Sequence, residues 1–142
     1  MKTFLFVTLI LLTTTLLMSQ EIPYGLNEKN GKFINSGDAK IYYEVYGQGQ
    51  PIVLLHGGFG YIDGFKKYIP VLSKNYKVIA IASRGYGKSE IGYTPYSYNL
   101  MAKDVKTIME IEGNDKAIII GTSDGAMIAY ILASSYPNIV SK

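Results

Sequence analysis

The chain has 142 residues, 48% of them hydrophobic and 18% charged, which suits one globular domain at most. Its net charge of +3, with no basic block, leaves no footprint for nucleic acid or a membrane surface. There is no cysteine, so disulfides, thiolate catalysis and cysteine-ligated metals are excluded, and there is one histidine, His56.

The first twenty residues differ from the rest. Lys2 supplies a positive charge, Phe4 to Leu12 is apolar apart from Thr8, and Thr13 to Ser19 turns more polar and ends in a small residue. This pattern predicts a secretory signal peptide over residues 1–19, cut near Ser19 or Gln20. Its apolar core is shorter than the ~20 residues of a spanning helix. The expected protein is secreted or periplasmic, with no stable membrane span once the signal is removed.

Glu21 to Gly31 is polar and reads as a loose lead-in. Lys32 to Asn35 is a short strand candidate and Gly37-Asp38 a turn. Ala39 to Tyr46, rich in β-branched and aromatic residues, completes a hairpin. Gly47 to Pro51 breaks the pattern, and Ile52 to Leu55 is a buried strand that runs into His56-Gly57-Gly58-Phe59-Gly60. Tyr61 to Lys74 has apolar residues at helical spacing, divided by Pro70. Tyr76 to Ala82 is the next buried strand, followed by Ser83-Arg84-Gly85-Tyr86-Gly87-Lys88-Ser89. Gly-Lys-Ser after a strand suggests a phosphate-binding loop, but that loop needs glycine at position 82 and a helix directly after the serine. Ala82 and the run Glu90 to Pro95 meet neither requirement, so no nucleotide is expected and Arg84 reads as a structural ion-pair partner.

Ser97 or Asn99 can cap a helix whose apolar stripe is Leu100, Met101, Val105, Ile108 and Met109. Lys103, Asp104, Lys106 and Glu110 should face water, and Gly113-Asn114 ends the helix. Ala117 to Ile120 then reads as a strand covered on both faces, and Ala126 to Ala133 as a helix buried nearly all round. Between them lies Gly121-Thr122-Ser123-Asp124-Gly125. A strand that turns straight into a helix brings the backbone close to itself, which favours glycine at both flanks and projects Ser123 from the apex. Asn138 to Lys142 looks like the approach to another strand.

The strand, Gly-x-Ser-x-Gly and helix resemble the nucleophile elbow of the α/β-hydrolase family. The strand ending in His56-Gly57-Gly58 resembles that family's oxyanion-hole loop, and Arg84 to Ser89 resembles its D-x-R-G-x-G-x-S segment, with Ala82 in place of the aspartate. The resemblance implies an α/β fold, a mostly parallel sheet with flanking helices, with residues 20–142 as the N-terminal part of the domain and the sheet incomplete. It implies Ser123 as nucleophile, the backbone N–H of Asp124 and of Gly58 or Phe59 as oxyanion donors, His56 and Gly57 as loop support, and Gly121 and Gly125 as elbow glycines. The Asp124 side chain is left to solvent or to the helix start.

The family order places an acid and a histidine after the serine. No histidine follows Ser123, so both are expected outside this chain. The resulting expectation is a serine hydrolase of small esters or related acyl compounds, with a small-molecule substrate and no metal or cofactor. The competing readings are a truncated product without a proton acceptor, and a non-hydrolytic member such as a lyase or a binding protein.

Overall fold

Side chains alternate across a strand, so a strand with helices on both faces must be apolar at every position. Residues 52–55 and 78–81, in two neighbouring strands, meet that condition. In the computed structural model, which describes residues 21–142, β1 (Gly31–Ser36), β2 (Ala39–Tyr46), β3 (Gln50–Leu55), β4 (Tyr76–Ile81) and β5 (Ile118–Gly121) form one sheet in the order β1-β2-β4-β3-β5. β1, β2 and β4 pair antiparallel, whereas β4, β3 and β5 run parallel. The sheet is therefore mixed, with its parallel part carrying the residues singled out above. The signal-peptide reading of residues 1–19 lies outside the described residues.

Val53, Leu55, Ile79 and Ile81 face α2 (Tyr98–Ile111) and α3 (Asp124–Ser135) in one core layer. Ile52, Leu54, Val78 and Ala80 face the other way, towards a 3-10 turn (Ile62–Phe65) and the short helix α1 (Ile69–Leu72). The break between these two falls at residues 66–68, not at Pro70 as the sequence suggested; Pro70 sits in the first turn of α1, where its missing N–H costs nothing. Ser97 caps α2, its hydroxyl accepting the Leu100 N–H at 3.2 Å. Gly113, at φ +68°, ends α2 by adopting the left-handed conformation.

Four sequence expectations need correction. The lead-in is clasped rather than loose: the buried Glu44 carboxylate accepts N–H groups from Gly25 and Asn27 and hydroxyls from Tyr42 and Tyr46. Asp104 faces inward, not towards water. It lies on the α2 flank that meets Arg84, a contact that the stripe pattern does not encode. β5 is only half-covered, with Ile120 39% exposed. α3 buries Gly125, Ile128 and Leu132 on one face, while Met127 and Tyr130 are exposed on the other. The outer edge of β5 is touched only by the start of a parallel neighbour, where Ala117 N–H donates to Ile139 and Ile119 N–H to Lys142. That is the strand approach read at Asn138 to Lys142.

Arg84 is buried and finds five acceptors for its five N–H groups. Its guanidinium donates to both Asp104 oxygens at 3.0 and 2.8 Å, to Asp38 at 2.7 Å, and to the Ser36 and Ile91 carbonyls. This identifies the partners that the aspartate missing at position 82 left open, and it confirms a structural arginine. Removing one partner strands a buried charge. Asp104→Ala should destabilise the complete protein by about 3–5 kcal/mol, read as a lower urea midpoint. Lys106→Ala, which breaks only the exposed pair with Glu110, should cost about 0.5 kcal/mol or less.

Candidate active site

The site begins with a backbone constraint. β5 ends beside β3, with Leu55 paired to Gly121, and the chain then turns directly into α3. A methyl group on Gly121 would lie 2.2 Å from the Gly125 carbonyl oxygen, and one on Gly125 would lie 2.2 Å from that of Leu55. Both contacts are with backbone, which cannot yield as a flexible side chain can. Thr122 N–H donates to the Leu55 carbonyl at 3.1 Å and fastens the turn to the end of β3.

Ser123 sits at the apex with φ +51° and ψ −118°, a left-handed φ that non-glycine residues rarely adopt. It occupies the N-cap of α3, yet its side chain makes no capping bond, unlike most serines there. Its hydroxyl is thus left exposed and uncommitted.

The loop after β3 lies against this apex. A methyl on Gly57 would come 3.0 Å from the Ser123 Cβ. Gly57 to Gly60 closes a turn, with Gly60 N–H donating to the Gly57 carbonyl, and Phe59 takes φ +60° with its ring fully exposed. Among the described residues, the backbone N–H groups of Gly58, Phe59 and Asp124 have no hydrogen-bond partner. Three backbone donors without partners therefore lie in the two segments that meet at this apex.

His56 is buried and both its ring nitrogens are engaged. Nε2 accepts the Ser83 N–H at 2.9 Å, so Nδ1 carries the proton and donates to the Gly57 carbonyl at 2.8 Å. Burial lowers its pKa below the usual imidazole value, against smaller opposite effects from Gly57 and Asp124. A neutral ring with no free lone pair cannot take a proton from Ser123. It braces the loop, linking the end of β3 to the start of the Arg84 segment.

The Asp124 side chain is neither free in solvent nor a helix cap. Tyr98 donates its hydroxyl to Asp124 Oδ1 at 2.9 Å. A methyl on Gly58 would lie 2.8 Å from Asp124 Oδ2 and 3.9 Å from the Tyr86 hydroxyl. Burial, then the neighbouring Tyr86 and the charge of Asp124, push Tyr96 up to about 12. The bond between Tyr98 and this carboxylate escaped sequence reasoning, because Tyr98 meets Asp124 only through the packing of separate elements. The sole signal was an acidic residue directly after the elbow serine.

The comparisons with known proteins agree with this fold. A family model described as the alpha/beta hydrolase fold matches residues 50–142. The chain belongs to the α/β-hydrolase family. It is similar to epoxide hydrolase 4 of Mus musculus, 31% identical over 77% of this chain and 32% of that protein. It is also similar to 2-hydroxy-6-oxo-6-phenylhexa-2,4-dienoate hydrolase of Comamonas testosteroni, 31% identical over 74% of this chain and 38% of that protein. Among solved structures, the epoxide hydrolase CorEH without ligand superposes with a TM-score of 0.75 and 31% identity, over 78% of this chain and 39% of that one. This α/β-hydrolase chain thus spans roughly two fifths or less of the relatives it matches.

The elbow contacts set a contrast between two glycines. Gly125→Ala places a carbon against the Leu55 backbone and should cost the complete protein ~3 kcal/mol or more. Gly58→Ala meets only the end of the Asp124 side chain and no backbone atom, and should cost less, ~1 kcal/mol. Urea unfolding of the two variants checks the order; equal losses would mean that the elbow has room to relax.

Proposed function

We propose that the complete protein is a serine hydrolase of small esters or related acyl compounds, with Ser123 as its nucleophile. The observation that carries this reading is the strained, uncapping Ser123 at the meeting of two segments that hold three unpaired backbone N–H groups. Strain at the apex is maintained by the glycine contacts and serves to present the hydroxyl. In the proposed reaction, Ser123 Oγ bonds to the carbonyl carbon while a base takes its proton. The oxyanion is held by the N–H of Asp124 and of Gly58 or Phe59. Collapse breaks the bond to the leaving alcohol, which receives that proton, and water then hydrolyses the acyl-serine by the same route.

The relatives named for epoxides do not transfer their substrate. A serine hydroxyl opening an epoxide would leave an alkyl ether, which has no carbonyl for water to attack. An acyl substrate instead leaves an ester that water can cleave. The hydroxyl at position 123 therefore favours carbonyl chemistry.

The acid and base are assigned to residues beyond this chain, which makes it the N-terminal part of the enzyme. Residues 1–19 are assigned as an export signal, which gives a secreted or periplasmic protein.

In the complete gene product, Ser123→Ala should lower ester turnover by roughly 10⁴-fold or more and abolish labelling by a serine-directed phosphonate. Full activity in that variant would remove Ser123 from the mechanism. Residues 20–142 expressed alone should behave differently. Ile120, Met127 and Tyr130 are exposed, and an apolar cleft of about 260 Å³ lies open between Leu54, Phe65, Tyr68, Leu72, Ile120 and Thr122. Such surfaces and half-covered strand edges associate. Size-exclusion chromatography should show aggregates or oligomers, with no hydrolysis of p-nitrophenyl acetate above background. A soluble monomer with Ser123-dependent turnover would mean that a base is supplied from within these residues.

A further inference from the structure

We propose that Asp124 determines specificity by selecting acyl groups that carry a protonated amine close to the carbonyl, as aminoacyl esters do. This inference rests on the Ser123 reading above. It starts from the placement of one carboxylate. Ser123, Gly57, Gly58 and Asp124 form a continuous rim: a methyl on Gly57 would touch Ser123, and one on Gly58 would touch Asp124 Oδ2. The carboxylate therefore borders the backbone that is assigned to hold the oxyanion.

That position is costly unless something neutralises it. A negative charge beside a developing oxyanion opposes its formation, most strongly where water is excluded. Asp124 has no cationic partner: the ion pairs among the described residues use Asp38, Asp63, Asp104, Glu110 and Glu112. Its only hydrogen-bond donor among them is the neutral Tyr98 hydroxyl, on Oδ1. Oδ2 lies on the Gly58 side and, among the described residues, has no hydrogen-bond donor.

A substrate ammonium supplies the missing charge. Bound at Oδ2, it forms a charge-assisted hydrogen bond and can donate its other protons to the Tyr86 hydroxyl, which borders the same glycine. Ser123 and Asp124 are successive residues and border the successive glycines Gly57 and Gly58, so the amine that suits this rim sits on a carbon next to the carbonyl or one further along. An anionic acyl group would meet the carboxylate directly and be rejected. Tyr98 fixes the carboxylate in this pose by joining the first residue of α2 to the first of α3.

The test uses the complete gene product and three p-nitrophenyl esters of similar size: β-alanyl, butyryl and the succinyl half-ester. In the unmodified enzyme kcat/KM for the β-alanyl ester should exceed that for the butyryl ester roughly tenfold or more, with the succinyl ester poorest. Asp124→Asn keeps an acceptor for Tyr98 but removes the charge. It should bring all three kcat/KM values to within about threefold of one another. Tyr98→Phe should lower the preference for the β-alanyl ester without reversing it. Butyryl turnover that depends on Ser123, with no preference for the cationic ester or with one that survives Asp124→Asn, overturns this inference alone. Butyryl turnover unaffected by Ser123→Ala overturns the underlying reading instead.

Discussion

Everything at the candidate site depends on how closely the turn after β5 packs on the end of β3. Gly125 lies against the Leu55 carbonyl with no room for a methyl group, and Thr122 N–H donates to that same oxygen. Two consequences follow from one contact. The turn must be sharp, so Ser123 is forced into a left-handed φ and its hydroxyl points away from the helix it would otherwise cap. The chain leaving β3 must also pass beside that hydroxyl, which brings Gly57 and Gly58 to the rim. Adjacency of β3 and β5 in a parallel sheet thus does the work of assembling the site. This is the general reason why sites in such sheets gather at the carboxyl ends of the strands.

A second constraint holds the flank. Arg84 ties the loop after β4 to the β1–β2 turn through Ser36 and Asp38, and to α2 through Asp104. His56 joins the same loop to the end of β3 through the Ser83 N–H. Two buried polar residues, each with its hydrogen-bonding groups occupied, therefore connect elements that are far apart in sequence. An unpaired group at either place would carry the full cost of desolvation, so the connections are specific as well as stabilising. They also place the start of α2, and with it Tyr98, against Asp124.

The electrostatics divide by role. His56 is kept neutral by burial, and Arg84 is neutralised by two carboxylates. Asp124 alone stands at the rim with a hydrogen bond and no counter-charge. Among the described residues Asp124 has a hydroxyl donor but no cationic side chain, and its place beside the proposed nucleophile makes it informative about what binds there.

The sequence by itself determined the order of strands and helices, the hairpin, the helix caps and the elbow. These rest on local chemistry: apolar alternation, a serine before a helix, glycine where the backbone must pass closely. The elbow glycines were legible because the clash they avoid lies within a few residues and on the next strand. The sequence pattern misjudged Asp104, because a polar residue on a helix looks solvent-facing until its partner comes from another loop. It likewise read β5 and α3 as fully covered, since an apolar run reports what a segment can bury and not what surrounds it. Tertiary structure alone decided the partners of Arg84, the clasp of the lead-in on Glu44 and the meeting of Tyr98 with Asp124. Gly25 with Glu44, Arg84 with Asp104 and Tyr98 with Asp124 are contacts between residues separated by 19 or more positions, and such pairings are set by which elements pack together, for which no local periodicity exists.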